Sequence, residues 1–241
     1  MHKSSLRIVL VVALTLGLWT ACSPALPEDI HVDILPLSDK ETSLNELQAA
    51  FAGNALTPPL YQQSPGTKLY GAVIPFDVRR LPDGVNYNIV TVMVNIVKDD
   101  GTGGYAENQD VKVVTVIPFD VEHITDKTQA SKTAASITGT LQMLTGTIGV
   151  EQSTSETYQK IYRSVTAHFT PQNEISWEFT PFLDEPVEPG TYYVVAVLEV
   201  PVGSTGNVLI VSGGCSYGSS SVVSGTSTAC SAGEQQKFSL P

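Results

Sequence analysis

The chain has 241 residues, with 13 Lys and Arg against 24 Asp and Glu, a net charge of -11 and 42% hydrophobic residues. Only 15% of the residues are charged, so the chain lacks the low hydrophobicity and high charge of a disordered polymer. A sequence pI near 4.7 argues against nucleic acid as a partner, since phosphate binding draws on clustered Lys and Arg. At the amino terminus, Lys3 and Arg7 precede an uncharged apolar run from Ile8 to Trp19. A spanning helix needs about 20 apolar residues, so this shorter run fits the core of a secretory signal. Residues 1–21 are read as that signal.

The run ends in Trp19-Thr20-Ala21-Cys22. Thr20, Ala21 and Cys22 make this stretch similar to the box at which lipoprotein signal peptidase processes bacterial lipoproteins. Trp19 stands where that family usually has Leu, and Leu18 lies one residue early. The resemblance covers the first 22 residues. It implies that Cys22 carries palmitate-type acyl chains and tethers the protein to a membrane. Ser23, in place of the Asp that retains such proteins at the inner membrane, implies the outer membrane of a cell that has one. With Cys22 acylated, Cys215 and Cys230 remain as one pair in an oxidising compartment. Cleavage also removes Lys3 and Arg7, which leaves 11 basic and 24 acidic residues. So acidic a domain is repelled by anionic headgroups, and the acyl chains must do the anchoring.

Residues 22–42 combine Pro24, Pro27 and Pro36 with Glu28, Asp29, Asp33 and Asp39, which predicts an extended, solvated tether. A short helix is expected next. Ser43 and Glu46 form a capping box, Leu44, Leu47 and Phe51 share one face, and Gly53 offers a stop. After Pro58 the apolar period changes to two. Leu69 to Val78, Asn88 to Val97, Val111 to Val121, Val165 to Phe169, Ile175 to Phe179, Tyr192 to Val200 and Val208 to Val211 read as strands. Turn clusters such as Pro82-Asp83-Gly84 and Gly203-Ser204-Thr205-Gly206 separate them. The fold expected for 43–212 is mainly β, an antiparallel β-sandwich with one short N-terminal helix. The run Val92 to Val97 predicts a central strand buried on both faces, while 126–160 fits loop, weak strand or helix. Residues 213–241, rich in Gly and Ser, are expected to form a disulfide-closed loop and tail.

Val73-Ile74-Pro75-Phe76-Asp77-Val78 recurs identically as Val116-Ile117-Pro118-Phe119-Asp120-Val121. A proline inside a strand is confined to edges and bulges, so both copies are predicted to be edge strands. Ile74, Phe76, Ile117 and Phe119 then point into the core or mark a docking edge. Farther on, Glu188-Pro189-Gly190-Thr191-Tyr192-Tyr193 resembles the turn and following strand of fibronectin type III and other Ig-like domains. The resemblance covers 187–197 and implies a Tyr hydroxyl tied back to the turn.

Candidate chemistry is sparse. Asp99, Asp100 and Asp110 flank Gly101-Thr102-Gly103-Gly104, a hard-oxygen set that suits Ca²⁺ in type but lacks EF-hand spacing. Gly214-Cys215-Ser216-Tyr217-Gly218 fits G-x-S-x-G, whose nucleophile must sit on a strand-to-helix turn. No acid or His follows Ser216 except Glu234, and His123 and His168 lack a metal-ligand spacing. Tyr105, Trp177, Tyr192 and Tyr193 are aromatics suited to stacking on sugars. The resulting expectation is a lipid-anchored envelope module, structural or protein-binding, with no enzymatic activity and no cofactor. Its alternative is a carbohydrate- or peptide-binding surface module assisted by calcium.

Overall fold

The computed structural model describes residues 30–43, 45, 61–117, 165–169, 174–181, 186–219, 227–231 and 233–240. They form two antiparallel sheets. The first contains β1 (Val32–Ile34), β2 (Ser38–Thr42), β3 (Thr67–Val78), β6 (Lys112–Ile117) and β9 (Gly190–Pro201). Its order is β1-β3-β9-β6, with β2 beside β1 on the same edge of β3. The second contains β4 (Val85–Asp99), β5 (Tyr105–Glu107), β7 (Val165–Phe169), β8 (Glu174–Phe179), β10 (Asn207–Ser219), β11 (Thr228–Ala229) and β12 (Gln236–Ser239). It runs β11-β10-β4-β8-β7, with β12 on β10 and β5 on β4. The predicted helix at 43–53, residues 126–160 and Phe119 lie outside the described residues, apart from Ser43 and Asn45.

Alternation fixes which side of each strand is buried. On β4, Val90, Val92, Val94 and Ile96 are buried, while Met93 and Asn95 are exposed. The expectation that this strand is covered on both faces is therefore corrected: the second face of β4 meets water. The strand that is covered on both faces is β9, where every residue from Val194 to Val200 is buried. Its unbroken apolar run Val194 to Leu198 matches the composition of a strand without a solvent face.

The sheets meet through aromatic side chains. Phe76 of the first sheet packs on Phe179 of the second at 5.3 Å between ring centroids and on Tyr192 at 5.6 Å. Trp177 is fully buried beside this seam, on β8. Tilted rings at such separations are favoured by the aromatic quadrupole.

The prediction that both hexapeptides are edge strands fails for the first. β3 pairs with β9 along its whole length and with β1 and β2 on its other side, and Ile74 and Phe76 are completely buried. Pro75 is tolerated there for a geometrical reason. In an antiparallel ladder the N–H and C=O of a residue point to the same neighbour, and the Pro75 carbonyl accepts from the Leu35 amide at 3.0 Å. The missing donor thus faces the corner between β1 and β2, where the ladder is already interrupted. The second copy enters β6, which has β9 as its one strand neighbour among the described residues. Val73 and Ile117 are both opposite Val195. The two copies are therefore offset by one residue, and Ile74 and Ile117 point to opposite faces of the sheet.

Two further expectations change. The tether does not extend to residue 42, since 32–34 and 38–42 are strands and Ile30, Val32 and Ile34 are buried. The Gly/Ser-rich stretch from 213 is not loop at its start. β10 continues to Ser219 against β4, with a bulge between Ser216 and Tyr217. Gly213 is needed there, because a Cβ at that position would lie 2.6 Å from Val32 Cβ.

Truncating the aromatic seam tests this arrangement. Phe76→Ala should lower unfolding free energy by about 3–5 kcal/mol, whereas Met93→Ala on the solvated face should change it by less than about 0.5 kcal/mol. Urea titration of both variants separates them, and equal losses would refute the assignment of faces.

Candidate functional site

The richest concentration of charged contacts lies where β1 enters the sandwich. Strand pairing puts Asp33 opposite Asp77, and Arg79 follows two residues later at the end of β3. Arg79 grips Asp33 with both arms of its fork, Nε to Oδ2 at 2.7 Å and Nη2 to Oδ1 at 3.1 Å. His31 Nε2 lies 2.7 Å from Asp33 Oδ1. A bidentate guanidinium adds direction to the charge attraction. Burial acts to raise the Asp33 carboxyl, but the Arg79 hydrogen bond and the charges of His31 and Arg79 outweigh it and hold it below its ordinary value of 3.8. The Tyr87 hydroxyl donates to the Arg79 carbonyl at 2.9 Å, which secures the start of the β3–β4 turn. Burial raises the Tyr87 phenol.

Beside this cluster a cleft of about 400 Å³ opens between the β3–β4 turn, Arg79 to Tyr87, and the segment Pro186 to Pro189. Pro82, Pro186 and Pro189 make its walls stiff. Arg80 stands at its rim, largely exposed and 4.0 Å from Asp83, a separation at which surface ion pairs contribute little. The far wall is fixed by Tyr192, whose hydroxyl donates to the Glu188 carbonyl at 2.7 Å. This is the tie expected from the resemblance of 187–197 to Ig-like corners. Burial, and then the nearby Glu188 charge, raise the Tyr192 phenol far above its ordinary range.

Cys215 and Cys230 form a disulfide with Cα atoms 5.2 Å apart. Cys215 lies on β10 and Cys230 directly follows β11. The Cys230 amide donates to the Cys215 carbonyl at 2.9 Å, and the Ser231 amide donates to the Ile30 carbonyl, also at 2.9 Å. The bond therefore fastens a chain segment that itself touches β1.

Other predicted residues fall apart as sites. Asp99 and Asp100 are used by their own hairpin: Asp99 accepts from the Gly101 amide, and Asp100 accepts from the Thr102 amide and hydroxyl and from the Gly104 amide. These bonds, with the Thr102 hydroxyl foremost, hold the Asp100 carboxyl below its ordinary value against a slight opposing effect of burial. Asp110 instead meets Lys98 at 2.8 Å. Among the described residues, no three His, Cys, Asp or Glu side chains converge as metal ligands. The loop satisfies its own amides with the carboxylates a cation would draw on.

Ser216 is not on a nucleophile elbow. It sits within β10 opposite Ile89, and the strand continues for three more residues. Trp177 and Tyr192 are buried in the core, which removes them as sugar platforms. Tyr105 remains 41% exposed with the Lys237 ammonium 4.9 Å from its ring centre. Sequence reasoning missed Arg79, His31 and the whole of β1. The signal was present as Ile30-His31-Val32-Asp33-Ile34, apolar and polar in strict alternation.

No family model matches the chain, and no curated protein does. Among solved structures, the chain is similar to a "Pore forming protein" at 10% identity and a TM-score of 0.35, over 86% of this chain and 88% of that one. It is also similar to the Clostridium perfringens delta-toxin at 8% identity and a TM-score of 0.31, over 72% of this chain and 77% of that one. Both scores are too low to assign a fold by likeness. Among the described residues no helix is long and apolar enough to cross a membrane.

The Asp33 cluster carries a pH signature. A depressed carboxyl stabilises the fold above its unfolded value of 3.8, and that contribution is lost as pH falls through the lower folded value. Melting temperatures measured from pH 6 to pH 2 should fall more steeply for the parent than for Asp33→Asn, which is less stable at neutral pH. Superimposable profiles would remove the cluster from the account. Separately, calcium or a chelator should leave the melting temperature unchanged.

Proposed function

We propose that this protein is a lipid-anchored component of the cell envelope, probing or bracing a protein partner through its β-sandwich. The observation that carries the reading is the partition of its three cysteines. Cys215 and Cys230 are joined to each other, so Cys22 is the odd thiol, and it stands at the end of the lipoprotein-like box. An odd cysteine in an exported chain calls for a chemical role, and acylation supplies one. Ser23 after it favours the outer membrane. Ile30, already fixed in the sandwich, is eight positions beyond Cys22, a span of at most about 28 Å at roughly 3.5 Å per residue. On this reading the domain rides close to the lipid surface.

Partner contact by strand addition is best supported at β6. It has one strand neighbour among the described residues, and unpaired strand edges accept another backbone. Ile74 and Phe76 drop out of the proposed edge because β3 is paired on both sides, and Ile117, whose side chain is buried, stays on it through its backbone alone. The Ig-like character of 187–197 belongs to the same proposal, as the architecture of an adhesive module.

Intact-mass analysis of native material tests the anchor directly. Diacylglyceryl and acyl mass on a chain beginning at Cys22 is the expected result, and Cys22→Ser should move the protein from the membrane to the soluble fraction. An unmodified thiol would end this reading.

A second reading is favoured by one sequence observation. Ala135, Ile137, Gly139, Leu141 and Met143 alternate with Ser136, Thr138, Thr140 and Gln142, and Leu144, Gly146, Ile148 and Val150 alternate with Thr145, Thr147 and Gly149. Charge-free alternation over about ten residues is the mark of strands that face lipid on one side and water on the other. These residues lie outside the described ones. On this reading the protein permeabilises membranes. Dye-loaded vesicles should then leak on addition of the protein and stay sealed with Leu141→Asp; vesicles that stay sealed in both cases exclude it.

A further inference from the structure

Three places in the fold have no assigned role: the cleft beside Arg80, the buried Asp77 Oδ1 without a hydrogen-bond partner, and the segment that follows the disulfide. The last is tied into the structure by the most independent contacts. β1 is only three residues long and has one strand partner among the described residues, β3. So short a strand is marginal without further support. Yet Val32 is 1% exposed and Ile30 4% exposed.

Two close approaches supply that support. The backbone of β10 reaches Val32 at Gly213, where a Cβ would fall 2.6 Å from Val32 Cβ and 2.9 Å from the Val32 carbonyl oxygen. Gly233 lies so near the same carbonyl that a Cβ there would fall 2.8 Å from it and 3.9 Å from the Gly213 carbonyl oxygen. β10 and Gly233 thus crowd together onto the backbone of β1 at Val32. The Ser231 amide bonds the Ile30 carbonyl at 2.9 Å, two residues before the strand begins. One residue earlier, Cys230 is bound to β10 twice, through its sulfur to Cys215 and through its amide to the Cys215 carbonyl.

We infer that Cys230, Ser231 and Gly233 form a disulfide-held latch against β1, so that the Cys215–Cys230 bond controls how firmly the N-terminal strand is locked to the sandwich. Opening is a two-electron reduction. A dithiol gives up two electrons and becomes its own disulfide; the S–S bond breaks, and each sulfur leaves with one proton as a thiol. The stretch then keeps its backbone bonds and the flanking pairing of β11 and β12 with β10, but loses the covalent tie that holds Cys230 to β10, and β1 is held less firmly. The latch does not require Cys22 to be acylated. If Cys22 is acylated, the same bond sets how stiffly the domain is held to its anchor.

Hydrogen exchange on the full chain in detergent, before and after mild dithiol reduction, tests the inference. Amides in 30–35 and at 230, 231 and 233 should exchange at least tenfold faster after reduction, while 90–96 and 194–198 keep their protection. Unchanged protection at 30–35 with the bond open would overturn the latch. A uniform rise across all strands would also overturn it, since the disulfide would then stabilise the whole sandwich. Gly233→Val provides a second arm in oxidised protein. It should raise exchange at 30–35 with the disulfide intact, and no change there would refute the close packing on Val32. Mass analysis for a diacylglyceryl group is a separate readout, so loss of the anchor reading and loss of the latch are distinguished.

Discussion

Val32 fits closely against two stretches of backbone because neither Gly213 nor Gly233 carries a Cβ there. That fit decides where the chain begins to be structured. With it, Ile30, Val32 and Ile34 become core residues, Asp33 comes opposite the end of β3, and Arg79 finds its carboxylate. Apolar burial drives the contact at about 25 cal/mol per Å², but the close packing of protein interiors makes it selective. A single methyl group at either glycine would have to displace a strand.

The charged cluster and the disulfide serve this contact from two directions. Asp33 and Arg79 pin β1 along the sheet, and the segment after Cys230 covers it from the side. Exposed ion pairs contribute little alone. Here the carboxylate is partly buried and gripped at both oxygens, which gives the pair orienting value. The cleft walls depend on the same turn, because Tyr87 is bonded to the Arg79 carbonyl and Tyr192 to the Glu188 carbonyl. β1, the β3–β4 turn and the cleft are mechanically one region.

Much of the sheet content was legible from apolar period and turn chemistry. β7 matches its expected span from Val165 to Phe169, and β8 differs from its own by one residue. The misreadings share a physical cause: local composition was judged without its neighbours. Prolines and acids around Ile30-His31-Val32-Asp33-Ile34 look like a solvated tether, and only a partner strand reveals that the odd side chains disappear. Gly213 looks like loop, although a small residue is what a strand needs under close crossing backbone. Asp99 and Asp100 look like cation ligands because sequence cannot show that their oxygens already accept amides two residues on. The hexapeptide is the sharpest case. The first copy occupies an inner strand, while Val116 and Ile117, the described part of the second, lie on β6 shifted by one in register. Register is set by pairing partners, and a short word carries none of that information.

Pro75 has a protective effect at the joint between β1 and β2. The first sheet is discontinuous there, and a discontinuity ordinarily invites an intruding chain to complete the ladder. Pro75 offers no N–H in that direction, and its carbonyl is already taken by Leu35. A foreign strand sliding into the corner would find neither a donor nor a free acceptor at the position it must read first. The imino acid thus guards the seam that the short N-terminal strand leaves behind.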